Sequence, residues 1–217
     1  MNFGAAFSYV FKDPDWLKKL VITGLITLIP VLGQLYLLGW SLEVARRVAE
    51  GDMEPRLPEV DFGASLGRGF KAFIIGLVYS LPILVITLPI SIMGAFIPES
   101  GDIEETMGIV YLIVSLCCGS LAFLFSLLYA AVVPAAYTKF VTSGESIGAG
   151  LKFGEVFGMV RKAPTAYLIV ILGAIVTGFV AGLGSIACGI GIIVTTAYAM
   201  VINAHLYGQA HRQAKGF

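Results

Sequence analysis

The sequence predicts an all-α, polytopic membrane protein, with about six hydrophobic helices arranged as three hairpins. Three observations carry this expectation. First, Ala72–Pro98, Met107–Thr138 and Ala163–Ala204 contain no charged side chain. A hydrocarbon core about 30 Å thick needs roughly 20 helical residues, so the third run is about two spans long. Second, 58% of residues are hydrophobic and only 13% charged, about half the charge of a soluble domain. Third, basic residues cluster at intervals that fit one side of a membrane.

The first element is a short motif, Phe3-Gly4-x-x-Phe7-x-x-Val10-Phe11-Lys12, which recurs from Phe62 to Lys71 and from Phe153 to Lys162. Its apolar positions share a helical face in the first and third copies; the second, with Gly69, is poorer helix material. Each copy reads as an amphipathic segment in the headgroup plane that leads into a pair of crossings. Repeat units thus begin near 3, 62 and 153 within a single integral membrane domain, 1–217. No cleaved signal peptide is expected, because Lys12, Asp13, Asp15, Lys18 and Lys19 leave no short hydrophobic leader core.

The first hairpin is short or re-entrant. Leu20–Leu42 has the length of one span, yet Ile29-Pro30-Val31-Leu32-Gly33 interrupts it. Proline disrupts a helix and glycine permits the turn that follows, so two helices near Trp16–Ile29 and Gln34–Ala49 are expected. A single Pro-kinked span, with the N-terminus outside, is the alternative. The Glu50–Asp61 segment reads as a solvated connector. Ala72–Ile97 then crosses with kinks at Pro82 and Pro89, and Met107–Val133 returns, ending near Pro134. Pro164–Gly182 and Cys188–Tyr207 form the last pair around an uncharged turn at Gly182–Ser185. Lys and Arg in segments 12–19, 43–71, 139–162 and 212–215 put all repeat copies and both termini on the cytoplasmic side of a plasma membrane. The acidic Glu99–Thr106 loop lies outside.

Function is less legible. The three apolar runs hold no ionisable residue, which argues against proton-coupled transport or carriage of charged solutes. Ser80, Thr87, Ser91, Ser115, Ser120, Ser126, Thr177, Thr195 and Thr196 read as helix-packing hydroxyls. Ala174, Gly178 and Gly182 form a small-residue stripe suited to close contact with the returning helix or a second chain. Pro30, Gly33, Pro82, Pro89 and Pro134 are helix-break candidates, and broken helices line sites in many transporters. Gln34 and Glu43 face different sides of one helix, whereas Glu43 can pair with Arg46 and Arg47. His205 and His211 are too far apart for one ligand face and read as solvated or interfacial. Cys117, Cys118 and Cys188 read as buried small hydrophobes. No catalytic grouping, metal set or cofactor motif appears. With 14 basic and 14 acidic residues, no net charge draws the chain to nucleic acid.

Phe11-Lys12-Asp13-Pro14-x-Trp16-x-x-Lys19, then Ile29-Pro30-x-x-Gly33 and Gly39, resemble a prokaryotic family of small multi-span membrane proteins known as domain of unknown function 4013. Leu57-Pro58-x-x-Asp61-Phe62, Gly69-Phe70-Lys71 and Tyr79-x-x-Pro82 extend the resemblance over most of the chain. It implies an integral membrane location and assigns no catalytic or binding residue. The expectation is a non-enzymatic packing or accessory subunit. Its partners would be membrane lipids, other membrane subunits or further copies of itself. The alternative is a pore or carrier for a neutral or lipid-like solute.

Overall fold

The computed structural model describes residues 1–52, 56–96, 102–184 and 190–216, with side chains from 107 and 191 in the last two stretches. The chain is all-α: 86% is helical, with no strand among the described residues. The elements are α1 (Phe3–Tyr9) with a 3-10 turn (Val10–Lys12), α2 (Trp16–Ile26), α3 (Leu32–Glu50), α4 (Phe62–Ala95), α5 (Asp102–Thr142), α6 (Ile147–Gly150), α7 (Phe153–Lys162), α8 (Pro164–Leu183) and α9 (Ile190–Lys215). Three stretches are long and apolar enough to cross a membrane, Phe62–Ala95, Met107–Thr142 and Pro164–Leu183. The expected Glu99 end of the acidic loop, Ser185 and Cys188 lie outside the described residues.

α1, α4 and α7 each begin at the phenylalanine that opens the repeated motif. Asn2 caps α1 by accepting the Ala5 N–H, and Asp61 accepts the Ala64 N–H at the start of α4. The second copy is continuous with its span, not a separate interfacial segment. Its glycines do not spoil the helix, because tertiary contact outweighs propensity there. A Cβ on Gly69 would overlap the Leu35 carbonyl oxygen, and one on Gly39 would overlap that of Ser65. Here α3 and α4 touch backbone to backbone.

α2 ends at Ile26 and α3 starts at Leu32, with Pro30 in the turn between. Val31 adopts a φ of 65°, and a Cβ on Gly33 would overlap the Ile26 carbonyl. Pro82, Pro89 and Pro134, by contrast, lie inside unbroken helices. α5 therefore runs past its expected end near Pro134 to Thr142. Hydroxyls hold the nearby turns: Thr87 donates to Ile83 O, and Thr138 to the carbonyls of Pro134 and Ala135. In lipid, such side chains bond backbone carbonyls near a proline.

The Cα packing forms two compact units, residues 1–75 with 131–217, and residues 76–130. In the larger, α9 is the hub, packed by α8, α3, α2, α1 and α7. Tyr36, Trp40, Phe140, Tyr167, Ile202 and Leu206 are buried in its core. The indole of Trp40 finds its partner by donating to the Pro58 carbonyl at 3.2 Å. The smaller unit holds Gly76–Ala95 of α4, about 30 Å of helix at 1.5 Å per residue, and the adjoining part of α5. Tyr111 covers Gly94 there, 3.2 Å from where its Cβ would stand. Ser80, Thr87, Ser91, Ser120 and Ser126 bond their own helices. Cys117 is exposed and Cys118 half-buried, both free, in place of the expected burial. On a helix whose neighbours are apolar and outward-facing, a thiol is as suited to lipid as to a core.

Candidate functional site

Two buried charge clusters in the larger unit join segments that are distant in sequence. In the first, Asp13 is only 2% exposed. Its Oδ2 accepts from Lys19 Nζ at 3.1 Å and from the Leu57 N–H at 2.8 Å, while Oδ1 accepts the Asp15 N–H at 2.7 Å. Lys19 also donates to the Leu57 carbonyl and to Glu59. Burial opposes the Asp13 charge, but the Lys19 ammonium and the two backbone donors hold its carboxyl below the ordinary range. Segment 56–61 is thereby pinned. Tyr9 and Arg47 both donate to the Arg56 carbonyl, and Leu57 and Pro58 are buried. This part of the expected solvated connector is a fixed strap.

The second cluster centres on Glu43, whose carboxylate receives Arg46, Arg47 and Arg68. The local pairs are those that three- and four-residue spacing allows. Arg68 was not legible from spacing. It reaches Glu145 at 2.7 Å and donates to the Gly39 carbonyl at 3.1 Å, and Lys71 adds a second contact to Glu145 at 3.3 Å. Burial opposes the Glu145 charge, yet Arg68 and Lys71 keep its carboxyl below its usual range. Glu145 itself has a φ of 57°, which is uncommon for a side chain with a Cβ. Both Glu43 and Glu145 are engaged by guanidinium groups, so the cluster favours locking over proton transfer. A third bridge, Lys139 to Glu155, ties α5 to α7.

The remaining expected positions separate. Ala174, Gly178 and Gly182 are exposed, and a Cβ on either glycine would enter open space. Contact between α8 and α9 instead uses neighbouring positions. Gly173 faces Leu206, Thr177 donates to Asn203 Oδ1 at 3.0 Å, and Thr195 donates to the Ala181 carbonyl. Four-residue periodicity carries Gly173 and Thr177 on a stripe one residue out of step with the predicted one. Gln34 is exposed and Glu43 buried, on different sides of α3. The histidines are not solvated: His205 is 8% exposed and His211 1%. α9 is the hub, so even its polar end is covered. Burial, with Lys215 and Lys139 nearby, lowers the His211 pKa to about 4, leaving a neutral ring. No group of three or more His, Cys, Asp or Glu able to hold a metal occurs among the described residues.

An all-α chain with three helices long and apolar enough to cross a bilayer is, as a class, a helical membrane protein. Residues 22–190 match the family described as "Protein of unknown function (DUF4013)", and the chain belongs to that family. No curated protein and no solved structure matches the chain.

Proposed function

We propose that the protein is a non-enzymatic packing or accessory subunit of a membrane assembly, in the plasma membrane of a prokaryote, with both termini cytoplasmic. The observation that carries this reading is the outward face of α8. Gly178 and Gly182 leave a shallow groove beside Ile175, Phe179 and Leu183, open for a neighbouring helix to approach closely. Among the described residues, no side chain of the chain comes within reach of a Cβ at Gly178. The occupant we favour is a transmembrane helix of another subunit. The three-hairpin topology, the three-fold repeat and the orientation from basic residues belong to the same proposal.

Gly178→Leu with Gly182→Leu tests it. The double variant should stay folded, because both positions are open, but lose stoichiometric co-purification from native membranes in mild detergent. Unaltered assembly would refute the packing face. The second reading, a pore or carrier for a neutral or lipid-like solute, draws on the helix break at Pro30. In the helices that flank it and in α4, the hydroxyls of Thr23, Tyr36 and Ser65 are buried, with Tyr36 meeting the other two, and broken helices line solute sites in many transporters. Solute flux through the protein alone in liposomes, altered by Pro30→Ala, would favour that reading.

A further inference from the structure

A cavity of about 300 Å³ lies where the N-terminal segment, the end of α3 and the last turns of α9 meet. Lys12 and Arg212 bring cations to it from two elements, Asp52 brings one carboxylate, and Tyr9, His205 and Gln209 complete the polar lining. The Arg212 guanidinium stands 3.9–4.0 Å from where a Cβ on Gly51 would be, at the C-terminal end of α3. The wall is built. Gln209 Oε1 accepts the Asn2 N–H at 2.6 Å, and its Nε2 donates to the Asn2 carbonyl at 3.0 Å. That pairing fixes which end of the amide is nitrogen. Nε2 is also 2.9 Å from His205 Nδ1, so Nδ1 must accept and the neutral ring carries its proton on Nε2.

Immediately next to Lys12 the surface turns aromatic. Phe11 is 56% exposed and packs on Trp16 at 5.0 Å and Tyr198 at 5.7 Å between ring centres. Beyond Trp16, α2 and the turn after it present exposed Leu17, Leu25 and Leu28. Cations, then aromatic rings, then aliphatic side chains is the order met on passing from headgroups into acyl chains. Two cations against one carboxylate favour an anion.

We propose that this cavity binds an anionic phosphodiester, supplied by a phospholipid headgroup whose acyl chains lie along the aromatic and leucine surface. The inference rests on the membrane reading of the chain but not on its role as a subunit.

The full chain in detergent tests it by native mass spectrometry, titrated with phosphatidylglycerol, phosphatidylcholine or water-soluble glycerophosphoglycerol. Phosphatidylglycerol should bind tightest. Lys12→Gln with Arg212→Gln should weaken it about 25-fold, from roughly fivefold per cation near a membrane surface. Lys12→Arg with Arg212→Lys should retain binding, as should Lys152→Gln with Arg161→Gln, which removes two charges from α7. Equal binding of phosphatidylcholine, or loss matched by the α7 variant, overturns the proposal. Tighter binding of glycerophosphoglycerol than of phosphatidylglycerol also overturns it, by placing the source in solution. Extraction of the protein from membranes by alkaline carbonate would instead defeat the membrane reading itself, and so separates the two failures.

Discussion

Replacing Asp13 with alanine should release the strap at 56–61. The carboxylate is buried, and its loss removes the charge partner of Lys19 and the acceptor for the Leu57 N–H. Breaking a buried ion pair from one side costs about 3–5 kcal/mol. The lower end applies here, because Lys19 keeps Glu59, whose side chain is 87% exposed and a weakly held partner. About 3 kcal/mol corresponds to roughly a 100-fold change in an opening equilibrium. Hydrogen exchange followed by mass spectrometry reads this in the intact chain. Amides of 56–61 should exchange roughly 100-fold faster in Asp13→Ala, with α8 unchanged. Asp13→Asn should behave alike: one amide oxygen cannot serve both the Asp15 N–H and the Lys19–Leu57 pair, and its NH2 meets a donor either way. Acid should act similarly. The folded carboxyl is held below its ordinary 3.8, so its contribution is complete above that value and disappears as pH falls through the lower folded one. Loosening should therefore begin below about pH 4 and be absent between pH 5 and 7. An unchanged strap in Asp13→Ala, within twofold, would refute this account of the cluster.

Further expectations concern other parts of the molecule. Gly39→Ala and Gly69→Ala should each destabilise the protein by about 2 kcal/mol or more in a detergent unfolding titration, because the new methyl meets backbone and not a yielding side chain. Gly178→Ala should be neutral in the same assay. Arg68→Met should cost about 3 kcal/mol, leaving Glu43 with two partners and Glu145 with Lys71; Arg68→Lys should not restore it fully, since one ammonium cannot span both carboxylates and the Gly39 carbonyl. Cysteine labelling in intact cells should find positions near 55 and 150 on one side and 102 on the other; opposite sides for 55 and 150 would end the three-hairpin proposal.

Periodicity and composition made some of this legible. The three phenylalanines that open α1, α4 and α7, the turn at Pro30 and the Glu43 pairs with Arg46 and Arg47 all depend on residues within one or two turns of each other. Asp13 with Leu57, and Arg68 with Glu145, lie 44 and 77 positions apart, and no local pattern encodes which of many charged residues will meet. The same limit explains the histidines. Their spacing says that they do not share a helical face, but burial was decided by helices packed around α9 from elsewhere. Glycine shows the same limit. Gly69 looked like weak helix, and Gly178 like a close contact with the returning helix or a second chain, whereas a glycine's meaning lies in what approaches it. At Gly69 that is the α3 backbone; at Gly178 it is open space.

The central place of α9 has a consequence for how the chain is made. α1, α2 and α3 are synthesised well before α9, yet each rests against it. Asn2 finds its backbone partner in Gln209, 207 positions later. Until α9 is made, those earlier helices lack the seat they pack on. A chain halted before α9 keeps its three apolar spans but lacks the surface against which α1, α2, α3, α7 and α8 pack.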